Sequence, residues 1–340
     1  MTKLLKINKN KINKKKILLA AKIIKTGGLV VFPTETVYGL GANIFDNEAI
    51  RKIYLVKKRP FSEPLIVHID NIKYLYELAV DIPEIAFKLI KHFWPGPLTI
   101  ILKKSKLVPD VVTASLNTVA IRMPKNKIAL SLIKYSEVPI AAPSANISGY
   151  ISTTKPTHVI DDLFGKVDVI IDAGKTELGL ESTLLDLTSN SPKILRPGSI
   201  TVEQLKKVIK TDIIIPKPKI NLKKEKINNT YSSTQSIHYL IKSKLILVTG
   251  NNNTQINKIK KFISELEPKN LKIGLLVKKQ NILRYGKKYD IKIIDDKNLF
   301  STLREFDKQN TDIIISETLP EKNINYTIMD RLYKIAEKII

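Results

Sequence analysis

This sequence predicts an α/β protein of two domains, on three observations. Between residues 15 and 209, short apolar strands alternate with amphipathic helices. Residues 211–243 then hold Pro216, Pro218, a charged run and the polar tract 228–236, the composition of a linker. From Leu245 a second β/α rhythm begins. The expected organisation is a first α/β or α+β domain over 10–210, a linker over 211–243 and a small parallel, Rossmann-like domain over 244–340. With 340 residues, 43 % of them hydrophobic, the chain can bury two separate cores.

Taken in order, Lys15 to Thr26 has helical periodicity and stops at Gly27-Gly28, a natural helix end. Leu29, Val30, Val31 and Phe32 make a buried strand that runs into Pro33-Thr34-Glu35-Thr36, a turn with two hydroxyls and a carboxylate. Tyr38 follows, with Gly39 and Gly41 allowing close backbone approach. A strand that ends among converging polar groups is where α/β proteins hold ligands. Asp46 can cap a helix to about Lys57, with Ile50, Ile53 and Tyr54 on one face. The basic turn Lys57-Lys58-Arg59-Pro60 then feeds a strand over 64–69 that contains His68.

Helices over about 72–79 and 83–92 lead through the rigid turn 93–99, with Trp94 as a packing anchor, into a strand over 98–102. Alternation from Thr118 to Arg122 places Thr118, Ala120 and Arg122 on one sheet face, so that Val119 and Ile121 pack while Arg122 reaches a site. A helix over 127–135 precedes a strand over 139–142 that ends at Ser144-Ala145-Asn146. A short helix to Phe164, strands over 167–172, 182–187 and 193–196, and a helix near 202–209 complete the first domain. In the second, strands over 245–248, 271–277, 291–294 and 312–316 are separated by helices over 257–266 and 299–307, and a last helix runs from about 328 to 340. Thr249-Gly250-Asn251 lacks the G-x-G-x-x-G fingerprint, so no nucleotide is assigned there.

The chain has no cysteine, which excludes disulfides and thiolate chemistry, and its four scattered histidines lack metal-type spacing. The lysine-rich amino terminus has no long apolar core, and no segment has the roughly 20 apolar residues of a membrane span. A cytoplasmic protein away from membranes is expected. The net charge of +25 invites a nucleic-acid reading, but it divides into +14 over residues 1–210 and +11 over 211–340. Fifty of the 57 basic residues are lysine, a broad bias rather than a dedicated surface. The seven arginines are more informative, because a planar fork suits phosphate or carboxylate. Arg59, Arg122 and Arg196 fall in the segments singled out below; Arg51, Arg284, Arg304 and Arg331 read as solvated charges.

Four segments in order are the stretch 28–41, Lys57-Lys58-Arg59-Pro60 with Pro64-Leu65-Ile66-Val67-His68, Ala142-Pro143-Ser144-Ala145-Asn146-Ile147-Ser148-Gly149, and Leu195-Arg196-Pro197-Gly198. Together they resemble the YrdC-like family of threonylcarbamoyl-AMP synthases, in its long form with a C-terminal extension, from about Lys25 to the end. The resemblance implies an α+β domain with a twisted mixed sheet. It implies that L-threonine, bicarbonate and ATP give threonylcarbamoyl-adenylate and pyrophosphate, for threonylcarbamoyladenosine modification of tRNA. Residue by residue, it puts Thr36, His68, Arg122 and Ser182 around L-threonine. It puts Lys57, Arg59, Thr118, Ser144, Asn146, Ser152 and Arg196 around ATP. A lone strand histidine is ordinarily a satisfied sheet residue; only the resemblance moves His68 to the pocket. Surface or turn roles stay open for Ser152 and Thr118. Magnesium is expected with ATP, although the sequence shows no carboxylate cluster for it. Further partners on this reading are tRNA and the downstream threonylcarbamoyl-transferase proteins, and the linker and C-terminal domain are expected to control access.

Two departures stand out. Glu63 occupies the place of the family's usual asparagine, and a carboxylate near phosphates repels them unless Lys57, Lys58 or Arg59 neutralises it. In the linker only Ser233, His238 and Tyr239 align with the family pattern. Two other readings compete: a basic YrdC-like RNA-binding module without synthase activity, and a carbamoyl-transfer domain for another acceptor. The first lacks any aromatic-stacking signature and the second lacks companion domains.

Overall fold

The computed structural model describes residues 1–216 and 239–340. They form two compact units, 1–148 with 152–216, and 149–151 with the described residues from 239 onward. Most of the expected linker, with Ser233 and His238, lies outside the described residues.

The first unit runs β1 (Lys3–Lys6), α1 (Lys14–Lys25), β2 (Val30–Pro33), β3 (Tyr38–Asn43), α2 (Asn47–Lys57), β4 (Ile66–His68), α3 (Lys73–Leu78), β5 (Ala79–Val80), α4 (Glu84–Phe93) and β6 (Leu98–Lys104). It continues with α5 (Asp110–Thr113), β7 (Thr118–Arg122), α6 (Lys127–Ser136), β8 (Ile140–Ala141), α7 (Pro156–Leu163), β9 (Val169–Asp172), β10 (Thr183–Asp186), β11 (Lys193–Arg196) and α8 (Val202–Val208). Helix starts follow local chemistry. Asn13, Asp46 and Asn126 each accept a first-turn backbone N–H, and Thr201 with Gln204 forms a capping box.

The strands make one mixed sheet in the order β1-β9-β2-β3-β8-β4-β7-β6-β10-β11, with β5 against β6. Two strands escape the sequence pattern. Lys3–Lys6 lies in the lysine-rich amino terminus, where the sequence suggests no element, yet it pairs with β9 as an edge strand, where lysines face solvent and guard the open edge. The sequence assigns no element after the turn that follows Pro33; the turn spans 34–37, and Tyr38–Asn43 returns along β2 as a hairpin. Gly41 permits that pairing, because a Cβ there would lie 2.7 Å from both Phe32 and Ile140 side chains.

One face of the sheet is covered throughout. Val67, Ile100, Val119, Ile121 and Leu185 pack there with Ile53 of α2, Leu75 of α3, Leu89 of α4, Val159 of α7 and Leu205 of α8. The other face is covered over half its width, where Phe32, Ile140 and Val169 meet Ile17 and Ile24 of α1 and Leu132 and Ile133 of α6. Its second half, across β4, β7, β6 and β10, presents Ile66, His68, Thr118, Ala120, Arg122, Thr99, Ile101, Leu184 and Asp186, and none of these belongs to either apolar cluster. Among the described residues of this unit, the helices pack elsewhere, and neither apolar cluster extends over this half-face.

The second unit runs β12 (Lys244–Val248), α9 (Asn252–Leu266), β13 (Ile273–Val277), β14 (Asp290–Ile293), α10 (Leu299–Lys308), β15 (Ile313–Glu317), α11 (Ile324–Ile335) and β16 (Lys338–Ile339). Its sheet is wholly parallel, in the order β14-β13-β15-β12-β16. The expected last helix to residue 340 is overturned in its final turn. Ala336 takes an extended conformation, and Lys338–Ile339 pairs with Ile246 and Leu247, trading the end of a helix for a fifth strand. The expectation of four solvated arginines also fails in part. Arg331 is 0 % exposed, lies 5.2 Å from the Tyr239 ring and pairs with Asp330, and the Tyr239 ring stacks on Phe300. Arg304 is spent on the Ile151 carbonyl, while Arg51 and Arg284 are exposed as expected.

Gly198 marks the closest backbone approach near β10. A Cβ there would lie 2.3 Å from the Thr183 nitrogen, 2.4 Å from the Ser182 carbonyl carbon and 2.6 Å from the Glu181 oxygen, all main-chain atoms that cannot rotate away. Gly198→Ala is therefore expected to destabilise the first unit by about 1–3 kcal/mol, the usual cost of overpacking. Thermal unfolding checks this, and an unchanged Tm would show that the start of β10 yields freely.

Candidate functional site

The strand order brings the distant polar segments to one end of the open half-face. His68 and Arg122 are paired at the carboxyl ends of parallel β4 and β7, and Ile140 of β8 sits opposite His68. Strand β6 runs antiparallel to β7, so Thr99 near its start falls at the same end, and β10 places Ser182 beside it. Arg196 closes β11 opposite Leu184, and the turn 34–37 ends β2. Ser144 bridges to Gly39, which holds the turn after β8 against the same hairpin.

Arg122 is the centre of this constellation and is only 3 % exposed. Its Nε donates to the Gly96 carbonyl at 3.3 Å, and Nη1 donates to Thr36 Oγ1 at 3.0 Å. Glu35 Oε1 lies 2.7 Å from Nη2, off the hydrogen-bonding direction, so charge holds that pair together. A guanidinium has five N–H donors. One is given to Gly96 and one to Thr36, and one faces Glu35, which leaves two without a hydrogen-bond partner among the described residues. Thr34 Oγ1 donates to the Val37 carbonyl at 2.6 Å and lies 2.8 Å from Thr36 Oγ1. Thr36 therefore donates to Thr34 and accepts from Arg122, keeping a lone pair for a guest.

His68 is buried between these groups, with Nδ1 3.3 Å from the Ile66 carbonyl. Burial first, and the Arg122 charge second, push its pKa down from 6.5 to about 3, so the imidazole is neutral near pH 7. Ser182 Oγ and Thr99 Oγ1 are 2.7 Å apart, and Arg196 Nη2 donates to Ser182 Oγ at 3.2 Å and to its carbonyl at 3.0 Å. Ser152 Oγ donates to buried Glu181 at 2.7 Å.

The basic turn after α2 is arranged differently from what charge alone suggests. Lys57 is 1 % exposed, and Nζ donates to the carbonyls of both Ser144 and Asn146 at 2.5 Å. Burial, with Arg59 adding to it, lowers its pKa well below the usual lysine value. Arg59 pairs with Glu63 at 2.9 Å and donates to the Glu63 and Pro64 carbonyls. The acidic departure at Glu63 is thus neutralised, and by Arg59 among the three candidates. Asn146 donates through Nδ2 to the Ile147 carbonyl. Thr118, at the opposite end of β7, is four residues and roughly 13 Å along the strand from Arg122.

The structure therefore joins Thr36, His68, Arg122, Ser182 and Arg196 at one end of the face, and ties Ser144 and Asn146 to Lys57 beside it. Thr118 marks the far end of the same half-face. Sequence reasoning missed Glu35, Thr34, Thr99 and Glu181. The only signal for Glu35 and Thr34 was an acid and two hydroxyls in one strand-ending turn; Thr99 and Glu181 carried none, since their partners lie 83 and 29 residues away.

Residues 22–198 match the Sua5/YciO/YrdC family profile, described as telomere recombination, and residues 200–336 match a profile described as the threonylcarbamoyl-AMP synthase C-terminal domain. Among curated proteins, the chain is 41 % identical to the threonylcarbamoyl-AMP synthase of Pyrococcus abyssi, over 96 % of both chains. It is 40 % identical to that of Bacillus subtilis, over 95 % of this chain and 94 % of the other. Among solved structures it is similar to the crystal structure of P. abyssi Sua5 complexed with L-threonine, with a TM-score of 0.90, 40 % identity and 99 % coverage of each chain.

The neutral His68 has a consequence for stability. Below pH 6.5 the unfolded chain binds a proton that the folded chain refuses until about pH 3. Its contribution is therefore full above 6.5 and is lost as pH falls towards 3, by up to about 1.4 kcal/mol per pH unit. His68→Gln should remove this slope. Urea unfolding of both proteins between pH 4.5 and 7 should show the wild type losing its margin as acid is added; parallel curves would mean that His68 takes up its proton as readily in the fold as in the unfolded chain.

Proposed function

The chain belongs to the Sua5/YciO/YrdC family of threonylcarbamoyl-AMP synthases, in the form with the C-terminal domain, and we propose that its open half-face binds L-threonine beside ATP. The observation that carries this reading is Arg122, a buried guanidinium at a strand end with two donors unspent, flanked by the hydroxyls of Thr36 and Ser182. Such a group takes an amino-acid carboxylate in fork geometry, while the hydroxyls and neutral His68 hold the side chain and amine. The nucleotide lies on Ser144, Asn146, Ser152 and Arg196 and extends towards Arg59 and Thr118. Lys57 acts on it chiefly by fixing the Ser144–Asn146 turn from behind.

The reaction needs no protein nucleophile. The threonine amine and bicarbonate give a carbamate and water; a carbamate oxygen then forms the bond to the α-phosphorus as the bond to pyrophosphate breaks. The protein's work is to hold two anions in line and offset their charge. Among the described residues there is no group of three or more histidines and carboxylates that could hold a metal. Magnesium would come with the triphosphate, on phosphate oxygens and water, and no step is assigned to it.

We assign the chemistry to residues 10–210, with the linker and residues 244–340 as a separate part that governs access. The product is an activated donor for tRNA modification by downstream transferase proteins. No helix of the described residues is long and apolar enough to cross a membrane, and the cytoplasm, where ATP and tRNA meet, is the compartment this chemistry calls for.

Pyrophosphate release should require L-threonine, bicarbonate and ATP together. A protein that binds RNA tightly but releases none with all three present would be a binding module instead. Arg122→Lys keeps the charge but loses the fork, and should weaken threonine at least about tenfold with ATP binding unchanged. Arg59→Ala should do the reverse. Calorimetric titration of each ligand separates the two, and equal loss of both would mean a damaged fold.

A further inference from the structure

We propose that Glu35 makes the amino-acid pocket selective for a zwitterion and rejects the same molecule without its amine. This rests on the threonine reading of the pocket and adds a residue to it.

Glu35 is 2 % exposed, on the turn between β2 and β3 next to Thr36. Its carboxylate lies against Arg122, with Oε1 2.7 Å from Nη2, and Oε2 has no hydrogen-bond partner among the described residues. A buried carboxylate normally uses most of its acceptor sites. The Gly96 carbonyl and the Thr36 hydroxyl already orient the guanidinium, so what Glu35 adds is charge rather than direction.

The charge sum gives the acid its purpose. Arg122 and Glu35 together carry none, and His68 beside them is neutral. A ligand with a carboxylate and no ammonium would leave the closed pocket with one uncompensated negative charge, which a low-dielectric interior penalises. A zwitterion leaves it balanced: its carboxylate takes the two unspent donors of Arg122, and its ammonium lies in the field of Glu35. The effect needs no direct contact, so a carboxylate closed off from solvent can exert it. Glu35 is thus a specificity and positioning residue, acting on the guest partly through Arg122.

The test is calorimetric titration of the full-length protein, without ATP, by L-threonine and by its 2-hydroxy analogue, 2,3-dihydroxybutyrate. The wild type should prefer L-threonine by at least about tenfold, and Glu35→Gln should shrink that ratio about tenfold or more while the hydroxy acid tightens in absolute terms. A purely structural role would weaken both ligands alike and leave the ratio unchanged, and that result overturns the proposal. Should Glu35→Gln not fold, equal affinity of the wild type for the two ligands still overturns it. A wild type that binds neither would sink the threonine reading itself, a separate failure visible without any variant.

Discussion

The structure depends on how one buried positive charge is accommodated. Arg122 sits at the end of a central strand, 3 % exposed, where an uncompensated guanidinium would be costly. Its compensation comes from two chain segments far apart in sequence: the Gly96 carbonyl ahead of β6, and the turn after β2 with the Thr36 hydroxyl and the Glu35 carboxylate beside it. Satisfying one side chain therefore fixes where the β2–β3 turn and the start of β6 lie relative to β7. The same contacts leave two of the Arg122 N–H groups without a hydrogen-bond partner among the described residues, and those are the groups the proposed reading gives to a ligand.

The uneven covering of the sheet makes such a place available. Helices α1 and α6 supply apolar faces for only half of the second sheet face, through Ile17, Ile24, Leu132 and Ile133. On the remaining half the strands alternate between core residues behind and Thr99, Thr118, Ala120 and Arg122 in front. A face carrying threonines and an arginine at its strand ends gains little from a covering helix. The same period-two rule that builds the core on one side therefore builds the site on the other.

How much of this was legible in the sequence depends on the range of each interaction. Local patterns read well: the helix cap at Asp46, the alternation that turned Arg122 away from Val119 and Ile121, and the need for a basic neighbour at Glu63, which Arg59 of the three candidates meets. Interactions with distant or main-chain partners did not. Lys57 spends its amine on carbonyls 87 and 89 residues away, which composition cannot distinguish from a phosphate contact. Edge strands were hidden for another reason. Lys3–Lys6 and Lys338–Ile339 pair on one side only, so they carry too little apolar signal to announce themselves. Arg331 misled because a charged helix residue is ordinarily solvated, whereas here Tyr239 and Phe300 build a roof over it.

The two halves of the site share a rule that the net charge of +25 conceals. Each of the two arginines that the proposal gives to the ligands carries its own acid, Arg122 with Glu35 at 2.7 Å and Arg59 with Glu63 at 2.9 Å, and in both pairs the acid is the more buried partner. A bare arginine in either place would attract any anion, including the phosphate and carboxylate metabolites that crowd a cell. With the charge already balanced, attraction at a distance is weak and binding must come from geometry: a fork matched by a carboxylate, a turn matched by a phosphate. The surface lysines can gather anions without discrimination. Selection then falls to the few places where the fold has neutralised a charge and left its hydrogen bonds unspent.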